Sequence, residues 1–97
     1  MYRQIRMNKW KPEVDRGEAD AVLAELEEVL AGIPEIRSFF VGKDAGFDNV
    51  NFDVVLVSDF DSREDWATYL RNPAHRAIVD TRLRPMLAAT AVLQVEV

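Results

Sequence analysis

Val50-Asn51-Phe52-Asp53-Val54-Val55-Leu56-Val57-Ser58-Asp59-Phe60 is the stretch on which the fold turns. β-Branched and aromatic residues dominate it, so it reads as a strand. Alternation places Phe52, Val54, Leu56 and Phe60 on one face, and Val55 and Val57 on the other. An antiparallel sheet covered by helices on one side normally shows polar residues on its bare side. Here both faces are apolar, so both need a cover. The rest of the chain has no spare element for the second face, which points to another copy of the chain and a homodimer.

The flanking segments supply the other elements. Tyr2 to Trp10 reads as a strand closed by Pro12, with Ile5 and Met7 alternating with Gln4, Arg6 and Asn8. A helix starts at or near Asp15 and runs to about Ala31. Val22, Leu26, Val29, Leu30 and Ile33 recur there at helical spacing, and Gly32 and Pro34 end it. Ile36 to Lys43 is a second strand on which Phe39 and Phe40 point opposite ways, and Lys43 to Asn49 is a turn or hairpin loop. After Phe60 come a short helix from Ser62 to Leu70 and another from Pro73 to about Leu83, with Pro85 near its end. Thr90 to Val97 is a last strand, where Leu93, Val95 and Val97 alternate with Gln94 and Glu96. The order β-α-β-β-α-β predicts an α+β, ferredoxin-like fold: a four-stranded antiparallel sheet with helices on one face, in a single domain over residues 1–97.

Composition narrows the function classes. A chain of 97 residues buries roughly 60–65% of its unfolded surface, so its core is modest. There is no cysteine, which excludes disulfides, thiolate zinc sites and cysteine nucleophiles. A single histidine excludes a multi-histidine metal site within one chain, and neither a metal nor a cofactor is expected. Seventeen acids against 12 bases give a net charge of −5, which argues against a nucleic-acid partner. No apolar run approaches the roughly 20 residues of a membrane span, and Met1-Tyr2-Arg3-Gln4-Ile5-Arg6 lacks the apolar core of a signal peptide. The expected compartment is the cytoplasm, with no membrane partner.

The lone histidine lies in the most chemically informative segment, Tyr69-Leu70-Arg71-Asn72-Pro73-Ala74-His75. Ser62 followed by Asp65 resembles a capping box, Asn72 suits an N-cap, and Pro73 suits the first helical position. His75 then falls on the first turn of a helix, where the positive dipole end disfavours a protonated imidazole. Arg71 and Arg76 add to that bias if they lie close. A neutral, proton-accepting imidazole is what a general base needs. The plain alternative is a histidine packed under the sheet. Tyr69 has its own plain alternative, as part of an apolar helix face with Trp66 and Leu70.

Four features together resemble the stress-responsive A/B barrel (Dabb) family. They are Lys9-Trp10-Lys11-Pro12-Glu13, Gly32-Ile33-Pro34, Phe60-Asp61-Ser62, and Tyr69 with Asn72-Pro73-Ala74-His75. The resemblance implies a dimeric α/β barrel in which two sheets face one another, with a pocket between the sheet and helices of each subunit. Most members have no assigned function. A few related polyketide cyclases close aromatic rings with a tyrosine and the helix histidine, and those roles fall on Tyr69 and His75. Members with that chemistry commonly carry a histidine on the first strand, where this chain has Gln4.

The remaining candidates follow from position. Gln4, Arg6 and Asn8 share one strand face. Facing the helices, they would line a pocket with Val54 and Leu56 as further substrate contacts, and Arg6 would want an anion or a carboxylate. Facing outward, they would be solvated or meet a partner. The acidic run Asp59, Asp61, Glu64 and Asp65 matches no EF-hand spacing and suits helix capping. Arg71, Arg76, Arg82 and Arg84, with Asp80 among them, read as a solvated face. The function expected is binding of a small, polar or anionic organic ligand, with cyclase- or isomerase-like action on a carbonyl compound. The alternative is a non-catalytic dimeric stress-response or accessory domain.

Overall fold

A computed structural model describes residues 1–97. The elements are β1 (Tyr2–Trp10), α1 (Arg16–Ala31), β2 (Ser38–Lys43), β3 (Val54–Phe60), α2 (Arg63–Arg71), α3 (Pro73–Ile78) and β4 (Leu87–Glu96). α3 runs on into a π-helical turn, Val79–Leu83, and a 3₁₀ turn, Arg84–Met86. The strands form one sheet in the order β2-β3-β1-β4, and every pair is antiparallel. This is the ferredoxin-like arrangement, with β1 central.

Local chemistry sets the boundaries. The Asp15 carboxylate accepts from the Glu18 amide at 3.0 Å and starts α1, whose turns end at Gly32 as its amide donates to Val29 O at 3.1 Å. Ser62 Oγ accepts from the Asp65 amide at 3.0 Å and starts α2. Three strand boundaries move from those expected. β3 begins at Val54 rather than Val50 because Asp44 and Asp48 take up the Gly46 and Val50 amides in Asx-type turns, holding that segment off the ladder. β2 begins at Ser38 rather than Ile36 because the Ile36 amide closes a turn onto Ile33 O at 3.2 Å. β4 begins at Leu87 rather than Thr90, because it follows β1 past a bulge to pair Leu87 with Trp10.

The core lies between the sheet and the helices. Val22, Leu26 and Leu30 of α1 meet Val54 and Phe60 of β3, and the Phe60 ring meets that of Tyr69 at a centroid distance of 5.0 Å. Directly paired residues share a face, so Ile5, Met7, Phe40, Val55, Val57 and Leu93 all point away from the helices. Phe40 is 60% exposed and Leu93 51%, so this chain leaves an apolar sheet face open. The bare face anticipated from both-sided apolarity is therefore present.

Phe60→Ala should lower stability by about 3–5 kcal/mol, because the ring is fully buried and the site cannot collapse onto Tyr69. Urea unfolding would measure the loss.

Candidate functional site

The pairing register decides where the polar residues of β1 go. Gln4 lies between Ser58 of β3 and Gln94 of β4, Arg6 between Leu56 and Val92, and Asn8 between Val54 and Thr90. All therefore face the helices, and Gln4 and Asn8 are buried. A cavity of about 420 Å³ opens there between β1, β4 and the helices. Its wall includes Gln4, Arg6, Asn8, Leu56, Tyr69 and His75, within the size range of small-molecule sites. Val54 is the exception among the expected contacts. It does not line this cavity, because its side chain is absorbed into the core against α1.

Tyr69 and His75 are brought together by a change of helix direction. α2 ends at Arg71, and Asn72 caps α3, its Oδ1 accepting from the Ala74 amide at 3.0 Å and the His75 amide at 3.2 Å. The two rings then lie 4.4 Å apart between centroids, tilted by 40°. His75 is 8% exposed, and its Nδ1 is buried with no hydrogen-bond partner. Nε2 also has no protein partner and is not among the sealed atoms, so it is the nitrogen within reach of the cavity.

Gln4 is held in one orientation. Its Oε1 accepts from Trp66 Nε1 at 2.7 Å and from Gln94 Nε2 at 3.0 Å. That leaves its own amide protons as donors near Tyr69. The Trp66 ring, a plain member of a helix face by sequence, thus also fixes the cavity wall. At the other end, Arg6 Nη1 donates to Thr90 Oγ1 at 3.2 Å, and Thr90 Oγ1 donates to Asn8 Oδ1 at 2.8 Å. Thr90 and Ser58 line the cavity and were not singled out by the sequence, and Arg76 and Arg84, read there as part of a solvated face, line it too. The signal for Thr90 was its place across from Asn8, which becomes readable only with the β1/β4 register.

The charges are one-sided. Arg6, Arg76 and Arg84 line the cavity, and no Asp or Glu does. Asp80 holds Arg76 at 3.2 Å and Arg84 at 3.3 Å, whereas Arg6 makes no ion pair. Burial raises the Tyr69 phenol above its ordinary pKa, while Arg6 and the Gln4 amide, which favour a phenolate, pull the other way. Burial lowers His75 from 6.5 to about 4, with Arg6 and Arg76 adding to the shift and Asp80 opposing it. The depression expected from the helix terminus thus has a different main cause. The first-turn amide of His75 is already capped, and Arg71 is exposed and takes no part. The acidic run is spent on structure: Asp59 pairs with Arg3 at 2.8 Å, Asp61 with Arg37 at 2.6 Å, and Glu64 and Asp65 occupy the first turn of α2.

The sequence and the topology of the sheet match one family. The sequence model of the stress responsive A/B barrel domain, Dabb, matches residues 3–97. The chain belongs to the Dabb family. Among solved structures, a dimeric ferredoxin-like protein of unknown function from Thermobifida fusca YX is 29% identical, with a TM-score of 0.90 over 99% of this chain and 90% of that one. A Dabb family protein from Mesorhizobium loti is 16% identical, with a TM-score of 0.85 over 99% and 95%. The hydroxynitrile lyase of Passiflora edulis is 20% identical, with a TM-score of 0.85 over 99% and 92%. Curated protein sequences contain no match. No helix of this Dabb chain is long and apolar enough to cross a membrane.

His75 should titrate near 4 in the folded protein, and Arg6→Leu should move it upward, as read by NMR of the single imidazole. Unfolded chains take up that proton near 6.5, so between those values the unfolded state holds the extra proton. The contribution of His75 to stability is therefore complete above about 6.5 and is lost progressively as pH falls towards 4. A His75→Phe variant should lack this part of the pH dependence in denaturant unfolding.

Proposed function

We propose that this chain is a cytoplasmic, single-domain Dabb protein that works as a homodimer. In this reading its cavity binds a small, polar or anionic organic ligand, and it acts on a carbonyl compound by acid–base chemistry. The observation that carries this reading is the Tyr69–His75 pair on one cavity wall, with the imidazole neutral at pH 7 and its Nε2 free.

In the proposed step, the Tyr69 hydroxyl donates to a substrate carbonyl oxygen while His75 Nε2 takes a proton from the adjacent carbon. The electron pair of the broken C–H bond becomes the enolate, whose oxygen is stabilised by Tyr69. Returning the proton from His75 to a different carbon is an isomerisation. Addition of the enolate carbon to a second carbonyl of the same molecule is a ring closure, with the His75 proton passing to the new alkoxide. The hydroxynitrile lyase of Passiflora edulis, similar in fold alone, is a precedent for catalysis on this scaffold. Gln4 stands where the related cyclases commonly carry a histidine, so in this chain the strand supplies an amide donor and leaves His75 as the only imidazole.

The homodimer rests on the open apolar face of Ile5, Met7, Phe40, Val55, Val57 and Leu93, and similar proteins described as dimeric support it. That face also favours the alternative, a non-catalytic dimeric stress-response or accessory domain, which needs the dimer but no ligand chemistry.

Exchange of the α-protons of methyl levulinate in heavy water tests the acid–base reading directly. Wild-type protein should accelerate exchange above the buffer rate, and His75→Ala should lower that acceleration by about 10²-fold or more. Tyr69→Phe should also lower it while keeping the fold by circular dichroism. Equal exchange in all three would favour the non-catalytic alternative. Light scattering should report about twice the chain mass of 11.1 kDa, and Leu93→Asp should bring the mass down to one chain.

A further inference from the structure

The cavity has two chemically different ends along β1. The Gln4 end meets Tyr69 and His75. The other end is built from Arg6, Thr90 and Asn8, and its hydrogen bonds have a fixed direction. Thr90 has one hydroxyl proton, and its two neighbours Asn8 Oδ1 at 2.8 Å and Met7 O at 3.3 Å, both acceptors only, take it. The hydroxyl oxygen accepts from Arg6 Nη1 at 3.2 Å. What this end still offers the cavity is the remaining guanidinium N–H groups of Arg6, while the amide protons of Asn8 Nδ2 lie unpartnered and sealed beneath it.

Those donors have no partner in the protein. Asn8 is completely buried and its Nδ2 is unsatisfied, an arrangement that costs stability. Arg6 is half-buried and makes no ion pair, although most arginines of this acidic chain do. No acid lines the cavity to answer either group.

We infer that Arg6, set over the unpartnered Asn8 amide, forms the seat of a carboxylate, so that the ligand is an organic acid whose carboxylate lies here. This rests on the proposed function for the other half of the molecule, the carbonyl group at Tyr69 and His75. A planar, singly charged anion with two oxygens fits one free guanidinium edge. A phosphate, with more charge and three oxygens, is less well matched, because Asp80 already holds Arg76 and Arg84. Same-face residues along a strand are spaced about 6.6–6.8 Å apart, so the two ends of the ligand stand several carbon atoms from each other. Leu26, Leu30 and Leu56 supply the apolar wall between.

Binding of levulinate and longer straight-chain methyl-keto acids, each with its methyl ester, tests this by calorimetry and NMR on the whole chain. The best acid should bind at least about tenfold more tightly than its ester, and Arg6→Leu should abolish that preference while Arg6→Lys keeps part of it. The side-chain amide resonances of Asn8 should shift with the acids and not with the esters, a readout that needs no mutation. Equal binding of acid and ester overturns the inference, as does a preference that survives in Arg6→Leu. So does competition by inorganic phosphate as strong as that of the acids, or no saturable binding of any acid at about 10 mM. The two readings fail separately. If the acid preference depends on Arg6 but His75→Ala leaves proton exchange unchanged, the carboxylate seat stands and the acid–base role of His75 falls.

Discussion

The arrangement depends on one constraint, the alternation of the central strand. β1 pairs with β3 on one side and β4 on the other, so every second residue must face the helices. In this chain those residues are Gln4, Arg6 and Asn8, while the apolar Ile5 and Met7 face outward. The usual polarity of a one-sided sheet is inverted at its centre. Two consequences follow from one register. The interior gains a polar wall that cannot be filled by core packing, and the exterior gains an apolar surface that water covers poorly. A slip of one residue would exchange both at once.

The polar wall is only partly satisfied from within. The Gln4 oxygen is used by Trp66 and Gln94, which fixes its amide as a donor near Tyr69, whereas the Asn8 amide nitrogen has no partner at all. The helices supply the complement. Asn72 and Pro73 turn the chain so that Tyr69 and His75 stack at the cavity wall. The π-helical turn that follows α3 carries Asp80, which holds arginines four residues before and after it and so keeps them from crowding the cavity with uncompensated charge. Extra turns of this kind recur at functional positions in helices. Arg6 is then the one cation facing His75 that nothing answers, and a bound anion there would relieve part of the field that keeps the imidazole neutral.

The fold was legible in the sequence because its signals are local. Alternation in β1 and β3, the Gly32 helix end, and the Asp15, Ser62 and Asn72 caps each act within a few residues, and each has its expected partner in the structure. The errors lie at strand ends, where Asp44, Asp48 and the bulge beside Trp10 compete with the ladder through contacts that composition does not rank. The cavity was legible only in part. Tyr69 and His75 were singled out by their segment and the family resemblance, and Gln4, Arg6 and Asn8 by sharing one strand face, but which face that was became readable only with the register. Val54 was misplaced because its face is right but α1 covers it. Thr90 was missed because its meaning comes from lying across from Asn8, 82 residues away in sequence. The low pKa of His75 was readable in direction from the helix start, but its main cause, burial, was not.

The most direct measurement is the identity of what the protein holds when purified. Native mass spectrometry of wild-type protein, followed by denaturation and analysis of the released small molecules, would compare it with Arg6→Leu prepared in the same way. The expected result is a dimer carrying a carboxylic acid with a carbonyl group further along its chain, absent from the Arg6→Leu protein. A neutral or cationic compound retained equally by both proteins would contradict it.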